Sequence, residues 1–244
     1  MKHSRHVRKL FARWMVLTAS VSLLAFLAAG TTRLSSLRNY LATFSAVLLA
    51  TMIAIDPGLA EERSRVSAKS GASERVSAGA AFLATLAVAA FEIGRLHSIP
   101  SVPMSARHAS LALFAGAMAL EMWAMVENPF FSPEVRLQPE RGHKLIASGP
   151  YRFMRHPGYL AMLVAMPSSA LAIGSWLALA PAAAFCRTIW KRVGEEEEFL
   201  LQNLPGYPEY LRSVRGRLVP RIELRRHPRG NPHSGFRFRH SERS

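Results

Sequence analysis

The 244-residue sequence contains one cysteine, Cys186. An intramolecular disulfide is therefore excluded, and so is a zinc site built on cysteine pairs. Acidic residues are scarce as well: 16 Asp and Glu stand against 31 Lys and Arg, a formal charge of +15. No GxGxxG run is present, so the Rossmann dinucleotide fingerprint is missing. No internal repeat is evident, and the composition excludes a disordered chain, a collagen and a disulfide scaffold. What is present is apolar, since hydrophobic residues make up 50% of the chain. They lie in long blocks nearly free of charge, with the basic residues between and after them. A basic soluble domain would spread its apolar residues at helix or strand period. Blocks of this kind point to an integral membrane protein instead, and no nucleic-acid partner is expected.

Four blocks are long enough to cross the hydrocarbon, which takes about 20 residues of helix. They run roughly from Leu10 to Ala29, Tyr40 to Ala60, Val76 to Leu96 and Ala109 to Val126. Arg13 is the only charge in the first and is near enough to its end to snorkel. Pro57 is read as a breaker at the end of the second. The first block is longer than the core of a secretory signal and is expected to stay as an anchor. Basic residues alternate between the connections. Lys2, Arg5, Arg8 and Lys9 precede the first span, and Arg33 and Arg38 follow it. Arg63, Arg65, Lys69 and Arg75 come next, then Arg95 and Arg107, then Arg136, Arg141, Lys144, Arg152 and Arg155. The positive-inside rule then places the N-terminus and the segment after span four in the cytoplasm.

The block from Tyr159 to Ile189 is too long for one untilted span, and Pro167, Gly174-Ser175 and Pro181 interrupt it. The chain beyond it is strongly basic, so a single crossing would violate the charge rule. A hairpin turning near Ile173-Gly174-Ser175 is expected. Its legs of roughly 13 residues, about 20 Å each, would be tilted or reach partway across.

Two polar stretches flank this hairpin. Asn128 to Tyr159 is rich in Pro, Gly, Arg and His. Proline constrains its own φ and the residue before it, so Gly149-Pro150 and His156-Pro157 set tight backbone geometry, and Pro157 suits a first helical turn. Arg152, Arg155 and His156 would then be held at the cytoplasmic mouth of a bundle, where an anionic or polar ligand is favoured. The second stretch, Arg187 to Pro220, reads as an amphipathic helix, a break at Pro205-Gly206 and a short second helix. A plain interfacial helix with solvated charges accounts for much of it. Four adjacent glutamates, Glu195 to Glu198, are an odd choice for such an anchor.

The ordered set of residues resembles the isoprenylcysteine carboxyl methyltransferase family, which is related to the phospholipid N-methyltransferases. It comprises Gly149-Pro150-Tyr151-Arg152, Arg155-His156-Pro157 and Tyr159, then Arg192, Glu196-Glu197 and Leu200. Gly206-Tyr207, Tyr210 and Arg217-Leu218-Val219-Pro220 complete it. Upstream, Trp123, Asn128, Phe131, Gln138 and Gly142-His143 sit where many members have them. The likeness runs from Trp123 to Pro220, and the earlier spans share only membrane character.

The resemblance implies an enzyme that uses S-adenosylmethionine on a lipid-like or prenylated substrate in the membrane. It implies a cofactor pocket lined by Tyr151, His156, Pro157 and Tyr159 and closed by Glu196 and Glu197, a pair selected by spacing from Arg192 and to Leu200. Such residues suit the cofactor's ammonium, carboxylate and ribose diol. Arg152 or Arg217 is expected to hold a substrate carboxylate by a bidentate contact. Glu121, an acid within a span, is expected either to face the pocket or to bond a neighbouring helix. With His143, it would be the base if the acceptor were a lipid amine, the alternative substrate. A nicotinamide-dependent membrane reductase and a non-catalytic scaffold are the other readings. No metal site is expected, and the spacing of His227, His233 and His240 does not suggest one.

The chain is thus read as an all-α integral membrane protein with four N-terminal spans, a C-terminal hairpin and amphipathic cytoplasmic helices. Residues 1–127 form the spans, 128–220 the cofactor-binding core and 221–244 a basic disordered tail drawn to anionic lipid. Glu92 and Arg95 are expected to pair locally, Trp123 and Trp176 to be interfacial anchors, and Asn128 to reach the pocket.

Overall fold

A computed structural model describes residues 2–69, 73–96 and 101–220. The tail, with its three histidines, and part of the second connection lie outside the described residues. Among the described residues every regular element is helical. The helices are α1 (Lys2–Ala29), α2 (Ser35–Ala54), α3 (Pro57–Lys69), α4 (Ser73–Phe91), α5 (Met104–Glu127), α6 (Pro157–Ile173), α7 (Leu179–Asn203) and α8 (Tyr207–Ser213). A π turn at Glu92–Leu96 extends α4, and 3-10 turns lie at Pro139–Arg141 and Gly149–Arg152. Four helical stretches are long and apolar enough to cross a membrane: Leu10–Ala29, Ser35–Ala54, Gly79–Leu96 and Met104–Glu127.

Pro57 does not simply end the second span. It opens α3, because Asp56 Oδ1 accepts the Leu59 N–H at 3.1 Å and so caps the new helix. An Asp followed by Pro is the sequence signature of that start.

α5 packs between α2 and α6, while α4 packs on α1, α6 and α7. Small residues line the seams: Ala25, Ala29, Ala89, Ala90, Ala165 and Ala170 are buried together. Small side chains let helix backbones approach where lipid supplies no hydrophobic drive for association. Hydroxyl pairs join the spans: Tyr40 donates to Ser169 Oγ at 3.0 Å and Ser45 to Thr18 Oγ1 at 3.4 Å, and Ser169 in turn donates to the Ala165 carbonyl.

The hairpin forms as α6, a turn at Gly174, and α7. Gly174 adopts φ +113, a conformation that suits glycine, and its N–H caps α6 on Ala170. The legs differ from the expectation. α6 has 17 residues and α7 has 25, against the 13 or so expected of each. The turn lies beside Arg107 of α5, and Ser175 hydrogen-bonds Glu92 at the end of α4. The first leg therefore reaches the far end of the neighbouring spans. The amphipathic stretch is not a separate surface helix either. No proline stands between Pro181, in the first turn of α7, and Pro205, and the helix runs through Gly194, so the apolar leg and the glutamates share one continuous helix.

Glu92 accepts the Ser175 hydroxyl and, at 3.0 Å, the Leu177 N–H, so it holds the turn that leads into the second leg. Arg95 donates to the Ala28 and Leu27 carbonyls at the end of α1. Both residues thus bind other elements across the bundle. Pro167 lies inside α6 and cannot donate to the Leu163 carbonyl. The Cys186 thiol donates to that oxygen instead, at 3.7 Å.

Candidate active site

After α5 the chain turns back over the end of the bundle. Gln138, fully buried, holds this connection together. Its Nε2 donates to the Phe130 carbonyl at 2.9 Å, and its Oε1 accepts from Arg141 at 2.6 Å. Its backbone N–H donates to His143 Nδ1 at 3.2 Å, so the second imidazole nitrogen of a neutral His143 carries the proton. Burial and the charges of Arg136 and Arg141 push the His143 pKa down, which favours that neutral form.

The turn Gly149–Arg152 starts with Gly149 at φ +55, where a Cβ would lie 2.6 Å from Glu127 Oε2. A 3-10 turn advances about 120° per residue. Tyr151 therefore points inward, where Asn128 Nδ2 donates to its hydroxyl at 3.4 Å, and Arg152 points outward and is exposed. Burial raises the Tyr151 pKa, so its hydroxyl stays protonated.

His156 sits at the N-cap of α6 and Pro157 in its first turn, as the sequence suggested. The backbone N–H groups of Arg155 and His156 donate to the Gly216 and Arg217 carbonyls at 2.9 and 3.0 Å. The chain after α8 is thereby strapped alongside them. The His156 side chain is buried, and its Nε2 has no hydrogen-bond partner.

α7 brings the glutamates to this end. Glu196 accepts the Tyr159 hydroxyl, and Tyr159 in turn accepts from Arg192 Nε at 3.0 Å. Arg192 is one turn before Glu196 on the same helix, so the pair clasps the phenol from one face. Glu197 is rotated about 100° from Glu196 and meets a different set. Arg155 Nε lies 2.6 Å from its Oε1, Arg217 Nε 2.8 Å from its Oε2, and His156 Nε2 3.7 Å away. Burial alone would raise the Glu197 pKa. His156, Arg155 and Arg217 outweigh it and hold the carboxyl down to about 2.

One cavity of about 560 Å³ connects these groups to side chains of the apolar helices α2, α4 and α5. Tyr151, His156, Tyr159, Glu196 and Tyr207 line its polar end, and Phe44, Phe82, Phe114, Met118 and Met166 its apolar end. Pro157, Glu121 and Asn128 also line it. Glu197 and Arg217 do not; they stand behind His156. Arg152 does not line the cavity either: the 3-10 rotation carries it to the surface.

Sequence reasoning passed over Arg63 of α3, which also lines the cavity. The sequence pattern places it among the basic residues of the second connection. The Asp56-Pro57 start signal, which makes its segment helical, was the available clue. Tyr207 and Arg155 belonged to the recognised pattern without an assigned role. Arg155 supports Glu197, while the buried Tyr207 hydroxyl has no partner.

Residues 110–202 match the family model described as the isoprenylcysteine carboxyl methyltransferase (ICMT) family. Two rice proteins, from Oryza sativa subsp. indica and subsp. japonica, are each named "Probable protein-S-isoprenylcysteine O-methyltransferase". Each is 38% identical over 101 residues, covering 38% of this chain. The chain spans about half the length of these relatives, 49% in each case. The likeness to the isoprenylcysteine carboxyl methyltransferase family thus covers residues 110–202, which hold most of α5, the connection, α6 and nearly all of α7.

Proposed function

We propose that the chain binds S-adenosylmethionine at the polar end of the cavity and methylates the carboxylate of an isoprenylcysteine-like acceptor whose hydrocarbon lies in the apolar end. One observation carries this reading: a single cavity joins an ionisable cluster to an apolar channel lined by α2, α4 and α5. A soluble acceptor would not need the channel, and a purely structural cluster would not need the polar opening.

The residues present suit the cofactor. The Tyr207 hydroxyl is a buried polar atom without a partner, and His156 Nε2 has no hydrogen bond, only the Glu197 carboxylate 3.7 Å away; such atoms are costly unless a ligand completes them. Glu196 supplies an acceptor for an ammonium or a diol. Tyr159 and Arg192 orient that carboxylate, while Arg155, Arg217 and Glu197 hold His156 from behind. S-adenosylmethionine supplies an electrophilic methyl: a carboxylate oxygen takes it without losing a proton, and the electron pair of the broken S–CH3 bond stays on sulfur. No general base is required of the protein. Its work is alignment and exclusion of water, effects that supply about 7–11 kcal/mol of barrier reduction in well-oriented systems. The alternation of basic residues supports a cytoplasmic face for this site and for the N-terminus.

The test is calorimetric titration of the detergent-purified protein with S-adenosylhomocysteine, beside His156→Ala and Glu196→Gln. Saturable micromolar binding, weakened in both variants, is expected. No binding by a folded wild-type protein overturns the reading.

A further inference from the structure

We infer that Arg63 is the residue that positions the acceptor, its guanidinium on the cavity wall holding the acceptor's carboxylate in place. This rests on the carboxyl-methylation reading above. The guanidinium carbon lies 5.4 Å from the centroid of the Phe131 ring, and the buried Nη1 has no hydrogen-bond partner. Stacking on an aromatic face leaves the in-plane donors of a guanidinium free, and two parallel N–H groups are the natural match for a carboxylate.

The other guanidiniums around the site are bound to carboxylates or carbonyls or are exposed, although Arg136, which also lines the cavity, keeps an unpartnered Nε. Arg155 binds Glu197 and the Val214 carbonyl. Arg192 binds Tyr159 and the Pro133 carbonyl. Arg136 binds Glu62 and Glu140, Arg217 pairs with Glu197, and Arg152 is exposed. Arg63 combines a place on the cavity wall with a spare buried donor.

Its position is also the right one. A Cβ on Gly158 would lie 2.6 Å from Phe131 Cε2, so the ring under Arg63 rests on the first turn of α6, between His156 and Tyr159. The guanidinium therefore stands next to the proposed cofactor end. α3 is fastened there by the fully buried Leu59 and by the ion pair of the adjacent Glu62 with Arg136. Glu121 shares the cavity and the electrostatic environment of Arg63. Glu121 attracts the guanidinium, yet Arg63 Nη1 is left without a hydrogen bond, which an incoming carboxylate would supply. Arg63 lies outside the family-matched segment, so the assignment concerns what this chain adds to the shared core.

The test uses detergent-purified full-length wild type, Arg63→Gln and Arg63→Lys. N-acetyl-S-farnesylcysteine and its carboxamide serve as acceptor and neutral analogue. Calorimetry with S-adenosylhomocysteine is run on every sample. We expect both variants to keep cofactor-product affinity within about twofold, which also reports folding. Arg63→Gln should raise the acceptor KM at least tenfold and lose the preference for acid over carboxamide, with partial rescue by added guanidinium. Arg63→Lys should fall between, since a point charge lacks the fork. Wild-type KM and wild-type acid preference in Arg63→Gln overturn the inference and leave the methyltransferase reading standing. A wild-type protein that binds S-adenosylhomocysteine but neither binds nor methylates the acid overturns the carboxylate acceptor and Arg63 together.

Discussion

Arg155 Nε and Glu197 Oε1 lie 2.6 Å apart, joining the residue just before the first leg of the hairpin to the far part of the second. Both side chains are largely sheltered, at 8% and 16% exposure. Glu197→Gln leaves Arg155 without its counter-charge and releases His156. Removing one partner of such a pair costs about 3–5 kcal/mol in buried settings. A clear fall in the thermal unfolding midpoint and weaker S-adenosylhomocysteine binding are expected, and unchanged values for both would refute the linkage.

The same carboxylate sets an acid limit. Its pKa is lowered from 4.5 to about 2 on folding. The stabilisation is therefore complete above about 4.5 and is lost as pH falls toward 2, amounting to about 3 kcal/mol. Wild type should lose stability between pH 5 and 3 more steeply than Glu197→Gln. Parallel unfolding curves for the two proteins would contradict this assignment.

Tyr159→Phe removes the hydroxyl that donates to Glu196 and accepts from Arg192. Hydrogen bonds to charged groups contribute roughly 1.5–3 kcal/mol. S-adenosylhomocysteine affinity should fall about tenfold or more, with acceptor KM little changed. The opposite split would mean that Glu196 serves the acceptor.

Gly158→Ala places a methyl against the Phe131 ring. The ring edge can yield, and alanine favours helix by about 1 kcal/mol, so stability should hold. Acceptor KM should rise severalfold because Arg63 lies over that ring. Arg152→Gln, by contrast, touches an exposed side chain and should change stability by under about 0.5 kcal/mol. Its kcat/KM should stay within twofold. A large loss there would restore Arg152 to the site.

The hairpin puts both polar stretches at one end of the bundle. In a Cys186→Ala background, cysteines replacing Glu140 and Arg212 should be labelled by an impermeant maleimide from the same face of sealed vesicles. A cysteine replacing Arg33 should be labelled from the other. Labelling of Glu140 and Arg212 positions from opposite faces would remove the hairpin.

The sequence by itself determined the membrane architecture. Apolar runs of spanning length and alternating basic connections follow from the cost of polar groups in hydrocarbon, a largely local property. It also determined the start of α6, because Pro157 is suited to a first turn wherever the helix packs. Only the tertiary structure decided what individual charged side chains do. Glu196 and Glu197 are adjacent in sequence, yet one lines the cavity and the other anchors Arg155, because 100° of helical rotation turns them toward different elements. Packing also decided that Arg63 lines the cavity and Arg152 does not. A capped helix laid the first over Phe131, and a tight turn carried the second outward. Whether a guanidinium is spent or free depends on neighbours far away in the chain, and their positions come from packing rather than from local pattern.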